Sequence, residues 1–127
     1  MPKILRNICL GAMLLVALGC RGKETYPVSG KVSFNGEAVT NGQIIFVPAD
    51  KKTAPSAGRI ENGEYQLQAT SGAMRVEIRA ARVVRNVPGA LGPEYQDYIP
   101  PAFNSDSKLT ANVEPTENNR FDFNLTF

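Results

Sequence analysis

The chain has no histidine, no tryptophan and only two cysteines among its 127 residues. Without histidine it lacks the commonest general base and the commonest metal ligand. This weighs against a Ser-His-Asp triad and against zinc chemistry, whose ligand sets His and Cys dominate. Ser56, Ser71 and Ser105 have no histidine partner, and no lysine is marked out to replace one. Both cysteines, Cys9 and Cys20, fall in the first twenty residues. Residues 21–127 therefore hold no thiol for a disulfide, and packing alone must hold whatever they fold into. A surplus of one charge is also missing. The formal net charge is +2, and much of that sits at the N-terminus. Arg75, Arg79, Arg82 and Arg85 lie close together, but Glu77 sits among them, so the run reads as a solvated strand face. The basic footprint that nucleic acid requires is absent, and no nucleic-acid partner is expected.

What is present begins with the first twenty residues. Lys3 and Arg6 precede an almost wholly apolar run, Ile8 to Leu18, which closes on Ala17-Leu18-Gly19-Cys20. A basic start, a short apolar core and small residues before a cleavage point make a secretory signal peptide. A spanning helix needs about 20 apolar residues, and this run is shorter and is preceded directly by Arg6 and Asn7. The cysteine after Gly19 makes the segment look like a lipoprotein signal, although the position three before it, often Leu in such signals, is Ala17. The expectation is a signal peptide over residues 1–19, acylation (palmitate) of Cys20 as the new N-terminus, a polar tether over 20–25 and a domain over 26–127. Lys3 and Arg6 leave with the signal, so 12 basic and 12 acidic side chains remain and the mature chain is neutral. Asp after the cysteine resembles an inner-membrane retention signal. Arg21 stands there instead, which favours the outer membrane or cell surface within the cell envelope.

From Tyr26 onward apolar residues recur with period two. Val28, Gly30, Val32 and Phe34 alternate with polar residues until Asn35-Gly36, a turn signal repeated at Asn41-Gly42 and Asn62-Gly63. Gln43 to Pro48 reads as a strand buried on both faces. A two-residue Asn62-Gly63 loop sets Ile60 opposite Tyr65, Gly58 opposite Leu67, and Glu61 against Glu64. Thr70-Ser71-Gly72 is the next turn. Met74, Val76, Ile78 and Ala80 then point inward, leaving Arg75, Glu77 and Arg79 on one outer face. Residues 86–107 carry four prolines and read as a long structureless connection. Lys108 to Val113 sends Leu109, Ala111 and Val113 inward. Arg120 to Phe127 puts Phe121, Phe123, Leu125 and Phe127 on one face. No helical period stands out after residue 20. About seven short strands separated by turn signals predict an all-β, antiparallel, Ig-like β-sandwich.

Tyr26-Pro-Val-Ser-Gly-Lys-Val-Ser-Phe-Asn-Gly, then Asn41-Gly-Gln-Ile-Ile-Phe-Val-Pro, Gly63-Glu-Tyr, Ser71-Gly and Val76-Glu-Ile follow one another in an order that resembles the carboxypeptidase regulatory-like (transthyretin-like) domain. The chain is especially similar to short bacterial lipoproteins that carry one such domain. These tend to have a tyrosine-proline loop resembling Tyr98 to Asn104 and a closing strand resembling Asn119 to Phe123. The resemblance spans nearly all of residues 26–127. It implies a seven-stranded prealbumin-like sandwich and a non-catalytic module. The family's hydroxyisourate hydrolases rely on histidines and a C-terminal Tyr-Arg-Gly-Ser. This chain has no histidine and ends Asn-Leu-Thr-Phe.

The functional expectation is a membrane-anchored, non-catalytic envelope lipoprotein that binds an envelope protein or glycan, or has a structural role, with no cofactor. Tyr95, Tyr98 and Phe103 are the candidate ligand-binding residues, because aromatics beside carboxylates stack on a sugar ring or receive a peptide. The competing reading is that Tyr98, Ile99 and Phe103 pin the loop to the sandwich. Glu94, Asp97 and Asp106 are the carboxylates available to an alternative, an envelope hydrolase with its site in the 86–107 loop. They do not match the dense Asp-x-Asp-x-Asp-Gly pattern of a calcium loop, and no metal site is expected. The last strand is read as core, the rarer reading being an edge that pairs with another chain.

Overall fold

The structure, a computed structural model, describes residues 24–86 and 92–127. The expected signal segment and Cys20 lie outside the described residues. Among the described residues ten strands follow one another: β1 Thr25–Phe34, β2 Glu37–Ala38, β3 Gly42–Pro48, β4 Ser56–Glu61, β5 Glu64–Thr70, β6 Gly72–Asn86, β7 Pro93–Asp97, β8 Leu109–Val113, β9 Asn119–Arg120 and β10 Phe123–Leu125. A single 3-10 turn, Pro101–Phe103, is the helical element among the described residues. The all-β expectation holds.

Period two builds these strands. In β5, Tyr65, Leu67 and Ala69 are buried while Glu64, Gln66 and Gln68 are exposed. In β6, Met74, Val76, Ile78 and Ala80 are buried, and Glu77 on the outer face pairs with Arg75 at 3.2 Å and Arg79 at 3.5 Å, as the spacing predicts. The core centres on Phe46, Ile44, Ile60 and Ile78, each fully enclosed. Burial of each such side chain stabilises by about 1.5–3 kcal/mol, far more than any of these surface ion pairs. β3 departs from expectation. Ile44, Phe46 and Pro48 are buried, but Ile45 and Val47 are only half-buried, so one face of this strand is core and the other is partly wet.

Hydrogen bonding runs in the order β10-β1-β5-β4-β3-β6-β7, with β2 and β9 also on β1 and β8 also on β6. The β4–β5 hairpin has the predicted register, Ile60↔Tyr65 and Glu61↔Glu64. Asn62 and Gly63 both have positive φ, 51° and 77°, as a two-residue hairpin loop of the I′ kind requires. Pairing stops after those two rungs. From there β4 runs along β3 and β5 runs along β1. The sheet folds over at this hairpin into two layers, with the core between them. Gly58 lies at the crossing, where a Cβ would stand 3.2 Å from that of Leu67, the residue expected opposite it.

The far edges of the two layers are joined by a short turn. β8 lies on β6, residues 114–118 turn, and β9 lies on β1. Asn119 is 5% exposed and holds that turn. Its side-chain carbonyl accepts from the Glu114 N–H at 2.8 Å, and its amide donates to the carbonyls of Glu114 and Thr116 at 2.9 and 3.1 Å.

The final segment is the parallel exception in an otherwise antiparallel sheet. β9 and β10 both run parallel to β1, in register Val28↔Asn119 and Val32↔Phe123. Between them the ladder is irregular: the Lys31 N–H donates to the Asp122 carboxylate at 2.8 Å. The Phe121 carbonyl sits where a Cβ on Gly30 would approach within 1.9 Å, so this position must be glycine. Tyr65, 2% exposed, donates its hydroxyl to that same carbonyl at 2.6 Å. Phe123 and Leu125 are buried as expected and Phe121 is half-buried, but Phe127 is 83% exposed.

Candidate functional site

The sandwich has two distinct ends. At one, Thr25 opens β1 and pairs with Thr70, the chain turns, and Gly72 pairs with Val113. At the other, Phe34 closes β1 between Glu37 and Leu125. The ten residues of β1 separate the two ends by about 30 Å. Thr25 lies five residues after Cys20, so the end from which β1 starts is the one a Cys20 anchor would hold.

β6 carries the second notable feature. Its pairing with β3 ends at Gly42↔Ala80, but the strand continues to Asn86. Those last six residues, about 20 Å of strand, pair instead with β7, from Ala81↔Asp97 to Asn86↔Pro93. The segment expected to be structureless, 86–107, of which 87–91 lie outside the described residues, therefore supplies one strand, β7, of a β-ribbon that projects past the end of the body opposite Thr25. The prolines misled because Pro93 stands at the first position of its strand, where a missing N–H is tolerated, and Pro101 opens the 3-10 turn. Val83 pairs with Tyr95, and a register shift between Val83 and Arg85 leaves Val84 without a cross-strand partner. Val83, Val84 and Tyr95 are 47%, 46% and 62% exposed.

Where the ribbon meets the body there is a cleft of about 440 Å³, lined by Phe34, Asn35, Glu37, Thr40, Arg82 and Tyr98 among others. Its volume is in the range of small-ligand sites, which run from about 300 to 1,000 Å³. The Tyr98 N–H donates to the Ala80 carbonyl at 3.1 Å, which ties the Tyr98 backbone to the root of the ribbon. Phe34 meets that ring edge-on at 5.9 Å, and the Arg82 guanidinium lies 5.5 Å above its centroid. In the alternation of β6, Arg82 occupies the inward phase that Ile78 and Ala80 occupy before it. The core has ended by then, so the side chain lies across Tyr98. The backbone N–H of Phe127 donates to the Asn35 side chain at the rim of this cleft.

The three aromatic candidates have separate settings. Tyr98 lines the cleft, Tyr95 is on the exposed ribbon, and Phe103 in the 3-10 turn packs half-buried against the core with Ile99, which is 4% exposed. Phe103 and Ile99 thus do the pinning the competing reading assigned to them. Glu94, Asp97 and Asp106 are all exposed. Glu94 and Asp97, three apart on one strand, face opposite sides of the ribbon, and the Asp106 N–H is held by the Pro101 carbonyl. The three do not converge on one concave surface. Among the described residues no group of three or more His, Cys, Asp or Glu is placed to hold a metal. Sequence reasoning missed Arg82 and Phe34 as site residues. The available signal was a charged residue at an inward position directly after a core run.

A second concavity, about 510 Å³, lies over β1 and β5 and is bordered by Lys31, Arg59, Glu61, Glu64 and Arg120. Its arginines have partners nearby, Arg59 with Glu61 at 3.7 Å and Arg120 with Asp122 at 3.3 Å. Below it Tyr65 is held neutral. Burial raises its pKa well above the ordinary value, Asp122 raises it further, and Arg120 acts in the opposite direction. This hydroxyl is a structural donor.

No family model matches the chain, and no curated protein matches it. Two solved structures are similar in backbone course. One is a DUF3823 family protein from Parabacteroides merdae, 14% identical over 83% of this chain and 46% of that one, with a TM-score of 0.42. The other is a 9R-lipoxygenase from Cyanothece, 15% identical over 82% of this chain and 16% of that one, with a TM-score of 0.38. The chain spans less than half the length of either, and likenesses of this size carry no argument about family or activity.

Proposed function

We propose that this protein is a membrane-anchored, non-catalytic envelope lipoprotein, a single carboxypeptidase regulatory-like sandwich that presents a binding surface away from the bilayer. The observation that carries the reading is the polarity of the domain. β1 starts five residues after Cys20, a reach of at most roughly 18 Å. The aromatic cleft and the projecting ribbon both lie at the opposite end. Acylation at Cys20 would give lasting attachment, because each buried CH₂ contributes about 0.8 kcal/mol and two or more chains are needed. Arg21 favours the outer membrane or cell surface. The binding reading, toward an envelope protein or glycan, rests on Tyr98 in its cleft and on the exposed Tyr95. The non-catalytic reading draws support from the absence of histidine and from the dispersed Glu94, Asp97 and Asp106.

Metabolic labelling with a palmitate analogue, followed by membrane fractionation, tests the anchor. The wild type is expected to take up label and sediment with membranes, and Cys20→Ala is expected to lose both properties. A Cys20→Ala protein that stays membrane-bound while the wild type takes no label would overturn the reading.

A further inference from the structure

Arg82 differs from the other arginines whose side chains the structure describes. Arg59, Arg75, Arg79 and Arg120 each lie within 3.7 Å of a carboxylate. Arg82 has the Tyr98 ring instead, and among the described residues no carboxylate pairs with it. Glu37 lines the same cleft and forms no ion pair with it either. A guanidinium over an aromatic face is attracted by the ring without an oxygen acceptor, so its N–H groups remain available to a ligand. Two of them match a carboxylate, which they can bind through two parallel hydrogen bonds.

The rest of the cleft narrows the ligand. Phe34 and Tyr98 supply apolar ring surface, Thr40 a hydroxyl and Asn35 an amide. Glu37 is an acceptor only, and it repels a ligand whose polar groups are all carboxylates. A ring with one carboxylate and several hydroxyls suits every group at once: the carboxylate goes to Arg82, a hydroxyl donates to Glu37, and the ring's C–H face lies against the aromatics. An acidic peptide would leave Glu37 without a donor from its side chains. We propose that this cleft binds an acidic saccharide, a uronic-acid unit, with Arg82 as the residue that selects its carboxylate. The proposal rests on the binding-module reading and specifies its ligand, but it does not depend on the Cys20 anchor.

Calorimetric titration of the full chain in detergent micelles tests it. The probes are di- to tetrasaccharides of galacturonate and of glucuronate, the matching neutral galactose and glucose oligosaccharides, and a triglutamate peptide. At least one uronate series is expected to bind tenfold or more tighter than its neutral counterpart and than the peptide. Arg82→Gln is expected to abolish that preference, and Arg82→Lys to keep part of it, since a lysine retains charge without the planar fork. Arg82 is exposed, so thermal melts of both variants are expected to match the wild type. The inference is overturned if no uronate binds, if neutral sugars bind equally, if the peptide binds as tightly, or if Arg82→Gln leaves the preference intact. The palmitate labelling described above is read separately, so loss of sugar binding with label retained removes this ligand and leaves the anchor standing.

Discussion

One strand passes through two environments in this protein. The first part of β6, through Ala80, pairs with β8 from Gly72 to Val76 and with β3 from Met74 to Ala80, and its inward side chains, from Met74 to Ala80, are at most 3% exposed. The last part, from Ala81 to Asn86, pairs with β7, and its valines at 83 and 84 are nearly half exposed. Both parts are hydrogen-bonded to a neighbouring strand, apart from the irregularity between Val83 and Arg85. The difference is what covers the faces. In the body a second layer closes over β6, whereas beyond Ala80 no second layer follows. Apolar burial therefore fixes the body, and cross-strand hydrogen bonding with a few side-chain pairs must hold the ribbon. Stability and presentation are divided along one strand, with Arg82 and Tyr98 at the junction.

The sharpest way to break this comparison is to truncate one side chain in the covered half. Ile78 is fully buried. Ile78→Ala is expected to cost about 2–5 kcal/mol, the transfer term plus the cavity term of a core that relaxes only partly. Urea denaturation would read this as a lower midpoint with an unchanged slope. A loss under about 1 kcal/mol would mean that the layers pack loosely and that the contrast is only one of exposure.

The next effect concerns closure of the body. Asn119→Ala leaves the Glu114 N–H and two carbonyls without their partner and is expected to cost about 1–3 kcal/mol. Hydrogen exchange should show the Glu114 amide losing protection more than amides in β3 or the covered part of β6. If exchange rises equally everywhere, Asn119 supports the whole fold and not the seam between β8 and β9.

Asn119 also marks the limit of what the sequence discloses. Local patterns were legible because they depend on neighbours within a few residues. The Asn62-Gly63 loop implies Ile60 opposite Tyr65, and alternation implies the inward set of β6 and the Glu77 pairs with Arg75 and Arg79. Partners distant in sequence were not legible. Gly30 reads as one more inward position, and only the arrival of Phe121 explains why it has no side chain. The closing run reads as one strand because its alternation is regular, yet the ladder breaks at Phe121 and Asp122, and β9 and β10 join β1 in parallel. Proline content hid β7. For the site, the tyrosines stood out by residue type, and Tyr98 does line a cleft. Its wall, Phe34, comes from a strand more than sixty residues away, which no local pattern reveals.

A smaller effect tests the polar pin inside the body. Tyr65→Phe removes the hydroxyl that the Phe121 carbonyl accepts and is expected to cost about 1–2 kcal/mol near neutral pH. It also changes the alkaline limb. Burial raises the folded-state pKa of Tyr65 above the ordinary value of 10.0, so the unfolded chain releases this proton first. The Tyr65 contribution is therefore intact below about pH 10 and falls as pH rises beyond it. Stability of the wild type should drop more steeply above pH 10 than that of Tyr65→Phe. Parallel curves for the two proteins would mean that Tyr65 titrates alike in both states and is not held neutral by its surroundings.

The smallest expected effect is the most informative about the ribbon. Val83→Thr with Val84→Thr keeps the β-branched shape that suits strands and replaces one methyl of each with a hydroxyl. Both positions are exposed on a two-stranded segment that no second layer covers, so the double change is expected to alter stability by no more than about 0.5 kcal/mol. Ile78→Ala, a few residues earlier on the same strand, is expected to cost several times more. Should the two changes prove comparable, the ribbon valines must be buried in solution, and the ribbon would then belong to the body and not to a surface held out from it. If the double variant matches the wild type in denaturation and in uronate titration, the cleft at Arg82 and Tyr98 works without the apolar patch beyond it. In that case the ribbon contributes to binding only by carrying Arg82 on one strand and leading the chain back from the other to Tyr98.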